Sequence, residues 1–245
     1  MSKHSLVMVS YLNSKPFLYG LQHPRYTELF DITLATPSEC AKSFLESGTE
    51  IALIPVGALS QIGEYKMVTP YCIGCDGEVR TVCVFSQNPI EHQTKLYLDE
   101  DSRTSVLLTK ILFAEYLKLS IDYQHGVNIR ALSDFEATLL IGDKVFDIED
   151  TFLYKYDLGL MWKNWLGLPL VFAVWVTKPT VSEETIKALT EALKYGISHT
   201  SESIQPYEKS YPHLKSYFRE NIDYDLNDEK LKSLQVFFEK SQKYI

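Results

Sequence analysis

Short apolar runs alternate with amphipathic segments along this chain, and the alternation predicts an α/β fold. Leu6–Val9 and Ile51–Ile54 are compact apolar runs typical of buried strands. A helix is predicted between them, because Thr36 is a good N-cap, Pro37 suits the first helical position and Glu39 completes a capping box. The order of strand and helix signals in this region indicates a parallel sheet flanked by helices.

Two further apolar runs divide the chain into parts. Val79–Phe85 and Leu170–Val176 enclose a segment with its own strand and helix pattern. We therefore expect a first lobe of residues 1–84 and 177–245 and an inserted second lobe of residues 85–176, with the two apolar strands as the hinge. A small ligand would bind in the cleft between the lobes, outside the carboxyl ends of the strands. A single doubly wound domain would produce much the same pattern.

The second lobe is expected to contain several strands and one helix, and two helices are expected to close the chain. Leu96–Leu98, Asn128–Leu132 and Thr138–Ile141 are the predicted strands, with a helix from Thr104 to about Lys118. The closing helices are predicted to begin near Ser182 and after Asn227, where apolar residues recur at helical spacing.

Charge and composition narrow the possible partners. The 245 residues carry a formal net charge of −8, which argues against a nucleic-acid partner because such proteins usually present a basic surface. An acidic protein that binds an anion must use local donors such as helix N-termini and individual arginines. No run approaches the roughly 18 apolar residues of a spanning helix, so no membrane partner is expected. No signal peptide is recognised, and we expect a cytoplasmic protein.

The cysteines and histidines do not form a metal-ligand pattern. Cys72 and Cys75 form a single C-x-x-C with no second pair or nearby histidines, as a zinc site would require. Asp76 and Gly77 follow them and indicate a turn rather than the helix of a thioredoxin-type motif. We interpret both cysteines as small apolar residues near a turn.

Several short segments, in order along the chain, form a recognisable set. The first is the loop from Ser10 to Pro16, with the sequence Ser-Tyr-Leu-Asn-Ser-Lys-Pro. The others are Ile51–Val56, Leu98-Asp99 with Ser102–Ser105, Leu140–Asp143, Asp157–Gly159, Trp162, Trp165 and Gly167–Trp175. Together these segments resemble the chorismate dehydratase family of the futalosine route to menaquinone. The chain departs from the family pattern at Glu78, where a proline is expected, and at Thr81, where a serine is expected. Thr81 keeps the hydroxyl, whereas Glu78 adds a carboxylate near the expected anion site.

The resemblance implies a function and a fold. The implied reaction is the dehydration of chorismate, a dicarboxylate, to 3-[(1-carboxyvinyl)oxy]benzoate, catalysed by a carbon–oxygen lyase without a metal or an organic cofactor. The implied fold is α/β, with the two lobes of a type II periplasmic binding protein and a ligand cleft between them. Two alternatives are a non-catalytic small-anion binding protein and the sister enzyme 1,4-dihydroxy-6-naphthoate synthase. The absence of a recognisable export signal argues against the first, and the Tyr-Leu-Asn loop argues against the second.

Asn13 is the expected catalytic residue, because the resemblance places it in the cleft and its amide can donate to the leaving hydroxyl or to a carboxylate. Without the resemblance, Asn13 would be interpreted as stabilising its own turn. The sequence offers no evident general base, so one hypothesis is that the substrate's enolpyruvyl carboxylate takes the ring proton. The expected substrate-binding residues are Ser10, Tyr11, Thr81, Arg103, Thr104, Ser105 and Asp143.

Four of the expected binding residues also have structural interpretations. Thr104 and Ser105 begin a helix and either bind a carboxylate or serve the helix start. Arg103 either forms a fork with a substrate carboxylate or neutralises an aspartate of its own loop. Asp143 either faces the cleft or caps the segment that follows it.

Overall fold

The structure, a computed structural model, describes residues 3–99, 101–126 and 136–245. Their strands form two mixed sheets with helices around them. The strands are β1 (His4–Val9), β2 (Phe30–Ala35), β3 (Ile51–Pro55), β4 (Lys66–Cys75), β5 (Val82–Ser86), β6 (Lys95–Leu98), β7 (Asp122–His125), β8 (Glu136–Ile141), β9 (Tyr154–Asp157), β10 (Leu170–Thr177) and β11 (Asp223–Asp225). The helices are α1 (Lys15–Leu21), α2 (Pro37–Glu46), α3 (Arg103–Ile111), α4 (Leu158–Leu166), α5 (Glu183–Ser198), α6 (Thr200–Ile204), α7 (Leu214–Glu220) and α8 (Asp228–Ser241).

The first sheet has six strands in the order β11-β4-β10-β3-β1-β2. The predicted parallel arrangement is confirmed for β1, which pairs in parallel with both β2 and β3. The other pairings, β3 with β10, β10 with β4 and β4 with β11, are antiparallel. β10 is buried along its whole length because strands cover both of its edges and helices pack against it.

The second sheet has five strands in the order β7-β6-β8-β5-β9. β6 runs parallel to β7 and β8, whereas β5 runs antiparallel to β8 and β9. The predicted strand Thr138–Ile141 lies within β8. The predicted strand Asn128–Leu132 lies outside the described residues.

The chain passes between the two sheets twice, after β4 and before β10. The lobe boundaries that the sequence predicts, at residues 84 and 176, stay a prediction. The chain leaves the first sheet between β4 and β5 and returns to it between β9 and β10. Leu170–Thr177 pairs within the first sheet and not with the inserted segment, while Val82–Ser86 pairs within the second. The expected pair of hinge strands is therefore replaced by two connections that link complete sheets.

The helices α2, α5 and α8 begin at the capping residues that the sequence predicts. Thr36 accepts from the Glu39 amide while Glu39 accepts from the Thr36 amide, so the predicted capping box is confirmed. Ser182 and Asn227 cap α5 and α8, as predicted. The predicted helix from Thr104 to about Lys118 is found as α3, and a π-helical segment from Leu112 to Tyr116 continues it directly. None of the helices in the described part of the chain has the length and apolar character needed to span a bilayer.

Helices α1 and α5 pack in close contact at two glycines, Gly20 on α1 and Gly196 on α5. A Cβ atom built on Gly196 would lie 1.8 Å from the Pro16 carbonyl oxygen, and one built on Gly20 would lie 1.9 Å from the Ala192 carbonyl oxygen. Only glycine permits this approach, because both obstacles are backbone atoms. The crossing fixes α1, and therefore the loop between β1 and α1, on the first sheet.

Candidate active site

A cavity lies between the two sheets, beside the carboxyl ends of β1, β3 and β8. It contains about 470 Å³ of empty space, a volume that includes the open solvent at its mouth. Both sheets and their following loops contribute to the wall. The lining residues are Val9, Tyr11, Asn13, Pro37, Pro55, Ile73, Val79, Thr81, Val82, Ser102, Ser105, Ile141, Gly142, Phe172 and Ala173.

Asn13 lines this cavity from the loop that follows β1. Its backbone carbonyl accepts a 2.6 Å hydrogen bond from the hydroxyl of Tyr224, which is buried on β11. Its side-chain oxygen Oδ1 is buried and has no hydrogen-bond partner among the described residues. The backbone of Asn13 is thus fixed while one polar atom of its side chain remains available to a ligand.

Tyr11 lines the cavity beside Asn13 and packs on Gly142. Gly142 has φ of +73°, and a Cβ built there would lie 2.8 Å from a ring carbon of Tyr11. Burial raises the pKa of Tyr11, and the carboxylates of Asp101 and Asp99 raise it further. The Tyr11 hydroxyl therefore stays protonated and can donate to a ligand.

Asp143 supports the loop after β1 and does not line the cavity. Its two carboxylate oxygens lie 2.9 and 3.1 Å from the Leu12 backbone nitrogen, so the second-sheet segment holds the first-sheet loop. Burial raises the pKa of Asp143 to about 6, although the bond from Leu12 and the charge of Lys15 oppose the rise. The expectation that Asp143 faces the cleft is corrected, because the carboxylate is already directed at a backbone donor.

Ser10 is not among the residues that line the cavity, and its expected contact with the ligand stays a prediction. Its backbone N–H donates to the Ala35 carbonyl at 3.0 Å, and its carbonyl accepts from Lys15 Nζ at 2.7 Å. Ser10 thus extends the β1–β2 pairing by one residue and starts the loop that carries Tyr11 and Asn13.

Of the two predicted binding residues at the start of α3, Ser105 lines the cavity and Thr104 lies behind it. Ser102 is the N-cap, since its hydroxyl oxygen accepts from the Ser105 amide at 3.2 Å and from the Ser105 hydroxyl at 3.1 Å. Ser102 and Ser105 line the cavity. Thr104 is fully buried and accepts from the Gly57 amide at 3.0 Å while it donates to the Phe172 carbonyl at 3.1 Å. The expectation that Thr104 binds substrate is corrected, because both bonds of its hydroxyl tie α3 to the first sheet.

Arg103 points away from the cavity. Its side chain is exposed, and its guanidinium donates to the Gln61 side-chain oxygen on the outer surface. Neither expected alternative is found, since Asp99 and Asp101 pair instead with Lys144. The expectation that Arg103 binds a carboxylate in the cleft is therefore corrected: α3 turns its side chain to the opposite side.

Thr81 reaches the cavity from a tight turn between the sheets. Arg80 has φ of +65°, and the Thr81 amide donates to the Val79 carbonyl at 2.8 Å, the pattern of a strained γ-turn. The Asp157 carboxylate accepts from the Val79 and Arg80 amides at 3.1 and 2.6 Å. Asp157 therefore stabilises a conformation that is rare for a residue other than glycine.

Charged groups around this turn pair with each other outside the cavity. Arg80 forms a 2.7 Å ion pair with Glu149, and Lys155 lies 2.9 Å from the same Glu149 carboxylate. Glu78 lies 3.9 Å from Lys155 and is half exposed. The additional carboxylate at position 78 therefore faces a lysine and not the cavity.

Sequence reasoning missed Tyr217. It lies on α7, is 1 % exposed, and its hydroxyl lies 2.9 Å from Thr81 Oγ1. The sequence of α7 gave no signal for this contact, because Thr81 lies 136 residues away along the chain.

The cavity wall is mostly apolar and lacks a fixed charge. Of the described residues that line it, Tyr11 alone carries an ionisable side chain. The donors are hydroxyls and the backbone amides at the N-terminus of α3, where the helix dipole favours an anion. No group of three possible metal ligands of the His, Cys, Asp or Glu type occurs within residues 3–99, 101–126 and 136–245. Cys72 and Cys75 are free and buried on β4, away from the lining.

Two sheets with a cavity between them define a two-lobed fold of the periplasmic-binding-protein type, and comparison with solved structures confirms this class. Protein AF1704 from Archaeoglobus fulgidus superimposes with a TM-score of 0.78 at 15% identity, covering 99% of this chain and 98% of that one. The CA3427 gene product of Candida albicans, described as having the generic periplasmic binding protein fold, gives a TM-score of 0.71 at 12% identity, covering 99% and 91%.

The chain belongs to the menaquinone biosynthesis family, which matches residues 5–243. It is also similar to the chorismate dehydratase of Thermus thermophilus, with 23% identity over 92% of this chain and 95% of that protein. The family resemblance noted in the loop after β1 and in the later motifs is thereby confirmed.

Proposed function

We propose that this protein is a lyase that dehydrates chorismate to 3-[(1-carboxyvinyl)oxy]benzoate in the cavity between the sheets. The observation that carries the proposal is the position of Asn13, Tyr11, Thr81 and Ser105 around one cavity. Four polar side chains from three parts of the sequence meet there. The family match and the similarity to a chorismate dehydratase give this cavity its proposed substrate.

The cavity offers chorismate both polar and apolar contacts. The ring would pack against apolar side chains such as Val9, Ile73 and Phe172, while the hydroxyls would bind the carboxylates. The N-terminus of α3, with Ser105 facing the cavity, is the proposed site for one carboxylate because its backbone dipoles point toward it. Enclosure between the sheets would exclude water and hold the reacting groups in place.

The elimination removes a ring proton and the neighbouring hydroxyl, and the ring becomes aromatic. Among the described residues of the lining, none is an aspartate, a glutamate or a histidine, and Tyr11 is held in its protonated form. This composition supports the hypothesis that the enolpyruvyl carboxylate of the substrate accepts the ring proton. The protein would then act mainly by positioning the substrate and by hydrogen bonding to its charged groups.

The test is to incubate the purified protein with chorismate and to follow the product by proton NMR and ultraviolet absorbance. Aromatic product signals are expected with the wild-type protein, and Asn13→Ala is expected to lower kcat/KM by about 100-fold or more. Arg103→Ala is the matched control, and we expect its kcat/KM to stay within about twofold of the wild-type value because its guanidinium lies outside the cavity. Tight binding of chorismate without any product would contradict the proposal and favour a binding protein.

A further inference from the structure

A buried hydrogen bond joins the cavity wall to helix α7. Thr81 lines the cavity, and its Oγ1 atom lies 2.9 Å from the hydroxyl oxygen of Tyr217. Each of the two residues is 1 % exposed. Tyr217 is not among the lining residues, so it contacts the wall of the cavity from behind.

The direction of this hydrogen bond follows from what each hydroxyl can reach. Within the described part of the chain, Thr81 is the residue placed to hydrogen-bond with the Tyr217 hydroxyl. If Thr81 donated, the Tyr217 proton would lie in the interior without an acceptor, and a buried donor without an acceptor is costly. If Tyr217 donates, its proton is satisfied. Burial also raises the pKa of Tyr217, so this proton is present at neutral pH.

The Thr81 hydroxyl then keeps its own proton for another acceptor. The Val79 carbonyl oxygen is 3.5 Å from Thr81 Oγ1, whereas O–H···O hydrogen bonds are usually about 2.5–3.0 Å long. The same carbonyl already accepts the Thr81 backbone N–H at 2.8 Å. The Thr81 proton therefore has no good acceptor among the described residues and is available to a ligand in the cavity. A hydroxyl that accepts one hydrogen bond also donates the next one more strongly.

Both partners are held in place by their surroundings. The Tyr217 ring packs edge-on against Phe146 at 5.2 Å and against Phe218 at 5.3 Å. Thr81 follows directly on the turn that the Asp157 carboxylate holds through two backbone amides. A donor fixed in this way needs little reorganisation when an anion arrives, and this favours electrostatic binding.

We propose that Tyr217 is a positioning residue: by donating to Thr81 Oγ1, it leaves the Thr81 proton to bind a carboxylate oxygen of the ligand in the cavity. A carboxylate only accepts hydrogen bonds, so it pairs with a free donor and not with a hydroxyl whose proton is already used. The inference rests on the proposed function, because chorismate supplies the carboxylates.

The kinetic test is a double-mutant cycle of Tyr217→Phe and Thr81→Val. Tyr217→Phe removes the donor and keeps the ring, so the Thr81 hydroxyl is no longer directed, and we expect kcat/KM to fall by roughly 5- to 20-fold. The fall should appear mainly as a higher KM, because the carboxylate is charged in the bound substrate and in the transition state alike. In the Thr81→Val background, Tyr217→Phe should change kcat/KM by less than about twofold, since no hydroxyl remains to direct.

Tyr211→Phe is the matched control. Tyr211 packs against the same Phe146 ring at 5.6 Å, and in the described part of the chain it is not a hydrogen-bond partner of Thr81. Its replacement should leave kcat/KM within about twofold of the wild-type value. An equal loss from Tyr217→Phe in both backgrounds would show that Tyr217 acts on the fold and not through the Thr81 hydroxyl, and this would overturn the proposal. A loss confined to kcat, or no loss in the wild-type background, would overturn it as well.

An NMR measurement on the wild-type protein tests the direction of the bond without turnover. With Tyr217 as the donor, its hydroxyl proton lies between the two oxygens and is protected from exchange with solvent. It should show a nuclear Overhauser effect to the Thr81 side chain, and the signal should be absent in Tyr217→Phe. A hydroxyl proton that exchanges too fast to be observed, or one without a contact to Thr81, would overturn the proposed direction. If the protein failed to convert chorismate while this signal was present, the proposed substrate would be wrong but the direction of the bond would stand.

Discussion

Asp143→Asn tests whether a buried carboxylate at the junction of the two sheets costs stability at neutral pH. The wild-type carboxylate accepts the Leu12 N–H at 2.9 Å, and the amide oxygen of asparagine can accept the same bond. The substitution therefore keeps the contact between the sheets and removes the charge. Any pH-dependent difference between the two proteins reports the charge alone.

The direction of the effect follows from the pKa. Burial raises the pKa of Asp143 to about 6 in the folded protein, whereas an aspartate in an unfolded chain has a pKa of about 3.9. The folded protein therefore holds a proton that the unfolded chain has already released, and the stability contributed by this group falls as the pH rises from about 4 to about 6. A difference of about two pKa units corresponds to roughly 3 kcal/mol. Because Asp143 is only partly buried, solvent screening reduces the expected effect to about 1–3 kcal/mol.

The assay is thermal unfolding of both proteins between pH 4 and pH 8. At pH 4 the two Tm values should nearly coincide, and at pH 7 Asp143→Asn should be the more stable protein by an amount on the order of 5 °C. Asp150→Asn is the matched control, because Asp150 is an exposed carboxylate further along the chain that is not among the charges acting on Asp143. A Tm difference for Asp143→Asn that stays constant across the pH range would refute the reasoning.

Three further substitutions test other parts of the structure. Gly196→Ala should lower Tm by about 5 °C or more, because the new Cβ atom would meet the Pro16 carbonyl. Alanine normally stabilises a helix, so a higher Tm would show that α1 and α5 can move apart. Asp157→Asn should cost about 1–3 kcal/mol in urea unfolding, because asparagine cannot accept every backbone N–H that the carboxylate accepts; an unchanged midpoint would contradict this. Gly142→Ala should lower kcat/KM about tenfold or more by displacing Tyr11, and wild-type activity would show that the ring is not needed there.

Local chemistry made much of the fold predictable. The capping box at Thr36 and the N-caps Ser182 and Asn227 depend on residues within three positions of each other, and all three helix starts are found as expected. The short apolar runs of β1 and β3 are likewise recognisable because both strands are buried. The family resemblance added the cavity-lining loop around Asn13, which propensity alone interprets as an ordinary turn.

Contacts between distant segments were beyond the reach of sequence patterns. β10 is apolar throughout, so its sequence does not reveal which sheet its edges pair with, and it pairs in the first sheet. Arg103 and Ser105 are two positions apart on α3 and therefore point in different directions, but the sequence does not indicate which of them faces the cavity. Tyr217 became recognisable only when α7 was placed against the turn that carries Thr81.

The arrangement of charge explains how a protein with a net charge of −8 can offer a site to a dianion. The carboxylates nearest the cavity are engaged elsewhere: Asp99 and Asp101 with Lys144, Asp143 with the Leu12 amide, and Asp157 with the amides of the turn. What remains on the wall is a set of neutral dipoles, and these can bind an anion without a fixed cation because they need no reorientation when it arrives. Asp143 and Asp157 also hold the loop after β1 and the turn that carries Thr81, so two of the groups that keep negative charge out of the cavity also position its lining. A neutral wall also suits the reaction proposed here, because a fixed arginine would bind the dianionic product as firmly as the dianionic substrate.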